Sequence, residues 1–336
     1  MTDAALPGRR HRALPGSAVE STARGGQLMP GPIAVLPRGD AVVEAAVADA
    51  GGTIAPLDEN TRGIVWTAAS GADELEAVLD AHREVAWVQL PWAGVDAFAG
   101  PLRRFAGDGR VWTSAKGAYA QPVAEHALML ALAVLREVPR RVRAGRWEVD
   151  ERGRSLYGAD VVIVGAGGIA SELLRLLEPF GVRVTVVRRR DEPVPGATRT
   201  VTAAGLREAF AHAEVVFVAA ALTDGTRGLI GAAELDRMPG GGVLVNVGRG
   251  AVVDTDALVA ALESGRIAGA GLDVTDPEPL PDGHPLWTAQ NCLITPHVAD
   301  TEDMVVPLFA ERVARNVHAF RTGGVFEGLI DLTAGY

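Results

Sequence analysis

The sequence predicts an α/β protein made of two doubly wound parallel-sheet domains. Three observations point there. Two separate series of short apolar runs alternate with helical segments; the runs are apolar along their whole length; and one glycine-rich turn lies directly between a strand and a helix. Strands alternating with helices call for right-handed crossovers and a parallel sheet. Strands apolar throughout suit a sheet covered on both faces. The 336 residues are enough for two domains of ordinary size, and 48% hydrophobic residues supply their cores.

Residues 1–30 show no apolar periodicity and read as a disordered tail, with Met29 an alternative start just before the first strand-like run. The first series follows. IAVL (33–36) leads into AVVEAAVADAGG, whose spacing and closing glycines suit a helix ending at Gly51. TIAPL, GIVW, the helix-like DELEAVLDAH and VAWVQL complete a block that ends near Gly117, giving a first domain over 31–117. A long helix then runs from about Pro122 through AEHALMLALAVLREV, apolar on most sides, as expected of a helix buried between domains or protomers.

The second series begins at DVVIV (160–164) and continues through VRVTVV, EVVFVA, GVLVNV, AGAGLDV and CLIT, with helices at SELLRLLEPF, LREAFAHA and DALVAALESG. It forms a second domain over 118–298. The segment TEDMVVPLFAERVARNVHAFRTG reads as a C-terminal helix without a sheet of its own. It is expected to pack back on the first block, so that 299–336 joins 31–117 in a discontinuous domain.

Charge and cysteine content narrow the function. With 32 basic and 42 acidic residues, the net charge of −10 argues against broad attraction to nucleic acid. Lys116 is the only lysine, so arginine carries the basic charge and an arginine cluster needs positional support. The lone Cys292 excludes an internal disulfide and a cysteine-based zinc cage; no metal site is expected. No apolar run is long enough to cross a membrane. A cytoplasmic protein with no membrane partner is the expectation.

The turn VVIVGAGGIASELL carries Gly165, Gly167 and Ala170 as G-x-G-x-x-A. The first glycine makes the tight turn, the second lets a pyrophosphate approach the backbone, and the small third residue permits close helix–strand packing. Glycine is abundant, and about five chance G-x-G pairs are expected at this composition; five occur, so the pair alone means nothing. Its place after a strand and before a helix is what points to a dinucleotide. At the end of the next strand, where NAD sites usually carry an acid, stand Arg188, Arg189 and Arg190. A guanidinium there suits a 2′-phosphate and favours NADPH over NADH. Asp191 serves the ribose instead if the strand is longer than read.

Ligands gather at the carboxyl ends of such strands. Arg249 follows GVLVNVG, Glu278 follows AGAGLDVTDP and His297 follows CLITP. Singly, each has a bland account as a turn residue, an exposed acid or a strand-end histidine. Together they supply a guanidinium for a carboxylate, an acid–base group and a carboxylate to pair with it, a set suited to hydride exchange with a 2-oxo acid.

NVGRGAVVDTDAL, GAGLDVTDPEPLPDGHPLW, LITPHVAD, VQLPWAGVDAF, QPVAEHALMLAL and the VGAGGIA turn together resemble the D-isomer-specific 2-hydroxyacid dehydrogenase family, in correct order from about Ile33 to the C-terminal helix. The resemblance implies a Rossmann coenzyme domain, a flavodoxin-like substrate domain, a cleft between them, and a homodimer formed through the coenzyme domain. It implies that Arg249 binds the substrate carboxylate, that His297 is the acid–base and that Glu278 pairs with it. Trp92, Ala93 and Gly94 match the loop that holds the carboxylate, Asp273 the contact to the nicotinamide carboxamide, and Gly168 and Ile169 the backbone at the pyrophosphate. The expected activity is a glyoxylate- or hydroxypyruvate-type reductase acting on a small 2-oxo acid. The alternative on the same fold is a non-enzymatic protein that senses nicotinamide coenzyme. The sequence departs from the family at Trp92, Ala170, Arg188 and Ala221, and no regulatory extension beyond the last helix is expected.

Overall fold

The computed structural model describes residues 11–14, 28–147, 149 and 151–332. The chain divides into two compact units, Met1–Gln121 with Thr301–Tyr336, and Pro122–Asp300.

In the first unit, β1 (Ile33–Leu36) leads to α1 (Ala41–Asp49), β2 (Gly63–Trp66), α2 (Ala72–Ala81), β3 (Trp87–Gln89), α3 (Ala99–Arg104) and β4 (Val111–Thr113). The four strands pair in parallel in the order β1-β2-β3-β4. Asp40 starts α1 as its cap, its carboxylate accepting from the N–H groups of Val42 and Val43. The TIAPL run, expected as a strand, contributes only one parallel bridge, Ile54 to Ile33, on the free side of β1. Pro56 lacks the N–H that would extend the ladder, which explains why it stops there. Counting that bridge, the order is the 2-1-3-4-5 of a flavodoxin-like sheet. Trp66, Trp112, Leu75, Leu79 and Phe98 fill one core of this unit.

The second unit contains most of α4 (Ala120–Leu135), then α5 (Val138–Arg141), β5 (Asp160–Val164), α6 (Gly168–Leu177), β6 (Arg183–Val187), β7 (Arg199–Val201), α7 (Leu206–Phe210), β8 (Val215–Val218), α8 (Ala232–Leu235), β9 (Val243–Asn246), α9 (Thr255–Glu263), β10 (Gly269–Leu272) and β11 (Cys292–Ile294). Seven parallel strands run β11-β10-β9-β8-β5-β6-β7. This is the doubly wound 3-2-1-4-5-6 order with a seventh strand added, and its switch point lies between β5 and β8. β4 and β7, three residues each, are the strands absent from the sequence reading. The buried face of α4 rests on β10 of its own unit: a side chain at Gly271 would meet Leu130, and one at Gly269 would meet Val134.

Register decides where the loops emerge. Val164 lies level with Val187 and Val218, Val218 with Asn246, Asn246 with Leu272, and Leu272 with Ile294. The loops after these six strands therefore leave the sheet along one edge.

The chain returns to the first unit as α10 (Glu302–Thr322), which packs along α1. Arg312, fully buried in α10, donates to the carbonyls of Ser114, Lys116 and Leu14 and to the Glu327 carboxylate. Residues 11–14 lie inside the stretch expected to be a disordered tail, yet they are held here. Ala13 N–H donates to Glu311, Arg315 donates to the Ala13 carbonyl, and Ala13 is buried. The backbone of this segment supplies the contacts, which is why side-chain patterning did not reveal it. The rest of residues 1–27 lies outside the described residues.

Candidate functional site

The glycine turn forms at the switch point. Gly165 N–H donates to the Val187 carbonyl, and its φ of +115° lies where L-residues rarely go. A Cβ there would stand 2.6 Å from the carbonyl oxygen of Ala219, after β8. Gly167 precedes α6 as its N-cap with no side chain capping the helix, and a Cβ on it would point into open space. Gly168 and Ile169 open the helix half-buried, while Ala170 is buried against the sheet. Uncapped N–H groups, the positive end of the helix dipole and room over Gly167 fit a dinucleotide pyrophosphate.

Arg188 stands at the end of β6, its N–H bonded to the Val201 carbonyl. Its guanidinium donates to the Glu192 carbonyl at 3.1 Å and lies 3.4 Å from the Glu192 carboxylate. Glu192 was not singled out in the sequence because it falls beyond the strand end where an acid is sought. Arg189 is exposed beside it.

Arg249, Glu278 and His297 all lie on loops at the same edge of this unit. Asn246 shapes the first loop, its Nδ2 donating to the Arg249 carbonyl and its Oδ1 accepting from Gly248 N–H. Gly250 lies so close to the Thr275 carbonyl that a Cβ would collide with it, pressing the Arg249 loop against the loop that carries Glu278. His297 has a φ of +54°, uncommon for a residue with a side chain, and its N–H donates to the carbonyls of Asp273 and Thr295. Its Nδ1 lies 2.6 Å from Oε1 of Glu278. An ionised carboxylate only accepts, so Nδ1 carries a proton and donates, leaving Nε2 as the second functional atom of the ring. Both side chains are nearly half exposed, open to a reactant.

Asp273 is buried. Its Oδ1 accepts from Thr295 Oγ1 at 2.6 Å and Val298 N–H at 3.0 Å, and Oδ2 from Ala299 N–H at 3.1 Å. It thus organises the His297 loop, a role that its position at a strand end did not disclose. His126 on α4 reaches the same cluster, with Nε2 2.9 Å from Thr295 Oγ1. Asp300 was also missed: burial pushes its carboxyl up to about 6, with His297, Asp273 and Arg249 as its charged neighbours.

Trp92, Ala93 and Gly94 belong to the first unit, on the loop after β3. The Trp92 ring meets Tyr119 edge-on at 5.8 Å, Tyr119 Oη donates to the Pro91 carbonyl, and Ala115 N–H donates to the Trp92 carbonyl. The aromatic contact gives this loop a fixed shape. Among the described residues, no helix is long and apolar enough to cross a membrane, and no group of three His, Cys, Asp or Glu is placed to hold a metal ion.

Residues 126–299 match the family described as D-isomer specific 2-hydroxyacid dehydrogenase, NAD binding domain. An uncharacterised protein of Corynebacterium melassecola is 40% identical over 262 residues, covering 76% of this chain and 86% of the relative. A glyoxylate reductase of Korarchaeum cryptofilum is 35% identical over 230 residues, covering 65% of this chain and 68% of that enzyme. The crystal structure of a D-isomer specific 2-hydroxyacid dehydrogenase from Xanthobacter autotrophicus Py2, in complex with NADPH and MES, superposes with a TM-score of 0.78 at 27% identity, covering 92% of this chain and all of that one. With the switch-point glycine turn and the strand order, these matches place the chain in the D-isomer-specific 2-hydroxyacid dehydrogenase family, as an NAD(P)-dependent enzyme.

Proposed function

We propose that the protein is a reductase of small 2-oxo acids of the glyoxylate and hydroxypyruvate class, with His297 as its acid–base. The observation that carries the reading is the 2.6 Å pairing of His297 Nδ1 with Glu278, on a loop beside that of Arg249. Bound nicotinamide coenzyme supplies hydride to C2 in reduction and takes it back in oxidation. Arg249 grips the substrate carboxylate in a charge-assisted bond and draws electron density toward the carbonyl oxygen. His297 Nε2 delivers the proton to that oxygen, and Glu278 steadies the imidazolium while it waits. In the first unit, which serves as the substrate domain, the backbone of Trp92, Ala93 and Gly94 offers N–H groups to a carboxylate. In the second, the coenzyme domain, Asp273 orders the His297 loop and faces the nicotinamide carboxamide.

NADPH is the proposed coenzyme, supported by Arg188 at the end of β6 and by the NADPH complex of the Xanthobacter relative. A homodimer through the coenzyme domain is supported by Val142, Trp147 and Val149, apolar side chains strongly exposed after α5. A reductase dependent on nicotinamide coenzyme, with one buried thiol at Cys292, fits a cytoplasmic setting.

The test is coenzyme oxidation with NADPH and NADH against glyoxylate, hydroxypyruvate, pyruvate and phenylpyruvate. Turnover of the small acids, lost in His297→Asn with coenzyme binding intact, is the expected result. Coenzyme binding without turnover of any acid would overturn it in favour of a coenzyme-sensing protein.

A further inference from the structure

One stripe of α4 follows β10 step by step. Gly269 and Gly271 share a face of the strand, and Asp273 comes next at the same two-residue spacing. A Cβ on Gly269 would stand 2.6 Å from Val134, and one on Gly271 2.9 Å from Leu130. Leu130 and Val134 are four residues apart on α4, and His126 stands four residues before Leu130 on the same stripe. The two advances match, at about 6 Å per four helical residues and about 6.6 Å per two strand residues. The bare glycines let the helix come close, and His126 arrives at Asp273. Its Nε2 lies 3.5 Å from Asp273 Oδ1 and 2.9 Å from Thr295 Oγ1, and its side chain is mostly buried. The helix is also pinned at its far end, where Asn291 Nδ2 donates to the Val134 carbonyl.

The protons of this cluster can be assigned. The Thr295 hydroxyl gives its one proton to Asp273 Oδ1 at 2.6 Å, so its oxygen can only accept from His126, and Nε2 of His126 carries a proton. We propose that His126 is a positioning residue for His297: its Nε2–H, held on a rigidly packed helix, fixes Thr295 and Asp273, which take the chain on both sides of His297. The inference rests on the reading above, in which His297 is the acid–base. Thr295 stands two residues before His297, and Asp273 holds the N–H groups of Val298 and Ala299 after it. Between these holds His297 keeps its φ of +54°, a conformation that persists only where its surroundings enforce it. Without the His126 donor the Thr295 hydroxyl is free to turn, and the grip of Asp273 on the loop slackens. A shift of the imidazole by a fraction of an ångström is enough to slow proton transfer.

Three substitutions separate the donor from mere filling of space. His126→Leu fills the site without a donor, His126→Asn stays polar but falls short of Thr295, and His126→Gln places an amide N–H near the position of Nε2. The kcat for glyoxylate reduction should fall by about 10- to 100-fold in the first two, with KM for glyoxylate little changed because Arg249 sits on another loop. His126→Gln should recover most of the loss. A second readout needs no turnover: the imidazole Cε1–H resonance of His297 in the NADPH-loaded protein, assigned by its disappearance in His297→Asn. It should move in His126→Leu and His126→Asn and return toward its wild-type place in His126→Gln. An unchanged kcat in the first two variants, folded and binding NADPH, would overturn the proposal, and so would an equal loss in all three. Failure of the functional reading shows separately, as absence of 2-oxo acid turnover by the wild-type enzyme; the His297 resonance then decides alone whether His126 holds that ring in place.

Discussion

The carboxylate of Asp273 clasps the chain on both sides of His297, taking Thr295 Oγ1 before it and the N–H groups of Val298 and Ala299 after it. Asp273 thus sets where the imidazole stands, while Glu278 at 2.6 Å sets which nitrogen faces away. The two acids divide one task, placement and orientation, and this division makes their loss distinguishable. Replacing Glu278 with Gln keeps the size of the partner but removes its charge. We expect kcat for reduction to fall by about 10²-fold, and by between about 10² and 10⁴ in His297→Asn. An unchanged kcat in Glu278→Gln would remove Glu278 from the proton step.

On the proposed reading, coenzyme choice turns on Arg188 and the carboxylate that faces it. Glu192 and a 2′-phosphate would compete for one guanidinium, the first already 3.4 Å away. Arg188→Asp should lower kcat/KM for NADPH relative to NADH by roughly 10- to 100-fold, the worth of a charge-assisted pair. Glu192→Gln should raise the preference for NADPH a few-fold by freeing Arg188. Steady-state kinetics with both coenzymes decide the matter, and a ratio indifferent to both changes would place the 2′ position elsewhere.

Arg312 is a buried cation whose partners are three carbonyls and the carboxylate of Glu327. Burial pushes its guanidinium below the ordinary value, with Glu327 working the other way. Arg312→Met would leave those acceptors without their donor, costing about 3–5 kcal/mol of stability. A chain beginning at Met29 should lose less, because among the described residues it gives up the contacts of 11–14 while the other bonds of Arg312 remain. Thermal unfolding of the two proteins checks the order. Equal stability of all three forms would show that the buried arginine anchors nothing.

Much of the fold was legible because its strands announce themselves. DVVIV is β5 at its full length, and the runs at 215–218, 243–246 and 269–272 lie within the segments read as strands. The short edge elements were not. β7 has three residues with one buried, and TIAPL looks like a strand although Pro56 ends its ladder after one bridge. In the site, Arg249, Glu278 and His297 stood out as polar residues directly after apolar runs. Asp273 was reached only through the family resemblance, and its work on the His297 loop depends on hydrogen bonds to backbone N–H groups, which no side-chain pattern encodes. Glu192 and Asp300 were missed for a related reason: each matters through a charge brought near by a turn, and turn geometry is local to the folded chain.

Asp300 also links the site to stability. Its carboxyl is raised from an ordinary 3.8 to about 6, chiefly by burial, with the Asp273 charge adding to the effect and His297 and Arg249 opposing it. The folded protein therefore holds this proton more tightly than the unfolded chain does. The contribution from Asp300 is fully present below pH 3.8 and is lost as pH rises through about 6. Asp300→Asn removes the titration and keeps a neutral side chain of the same size. The variant should unfold at a higher temperature than the wild type at pH 7.5, and the gap should close as pH falls toward 4. Because the group is partly exposed, solvent screening keeps the gap small, and its dependence on pH is the informative quantity. A gap that stays constant from pH 4 to 7.5 would mean that Asp300 ionises as freely in the folded enzyme as in the unfolded chain.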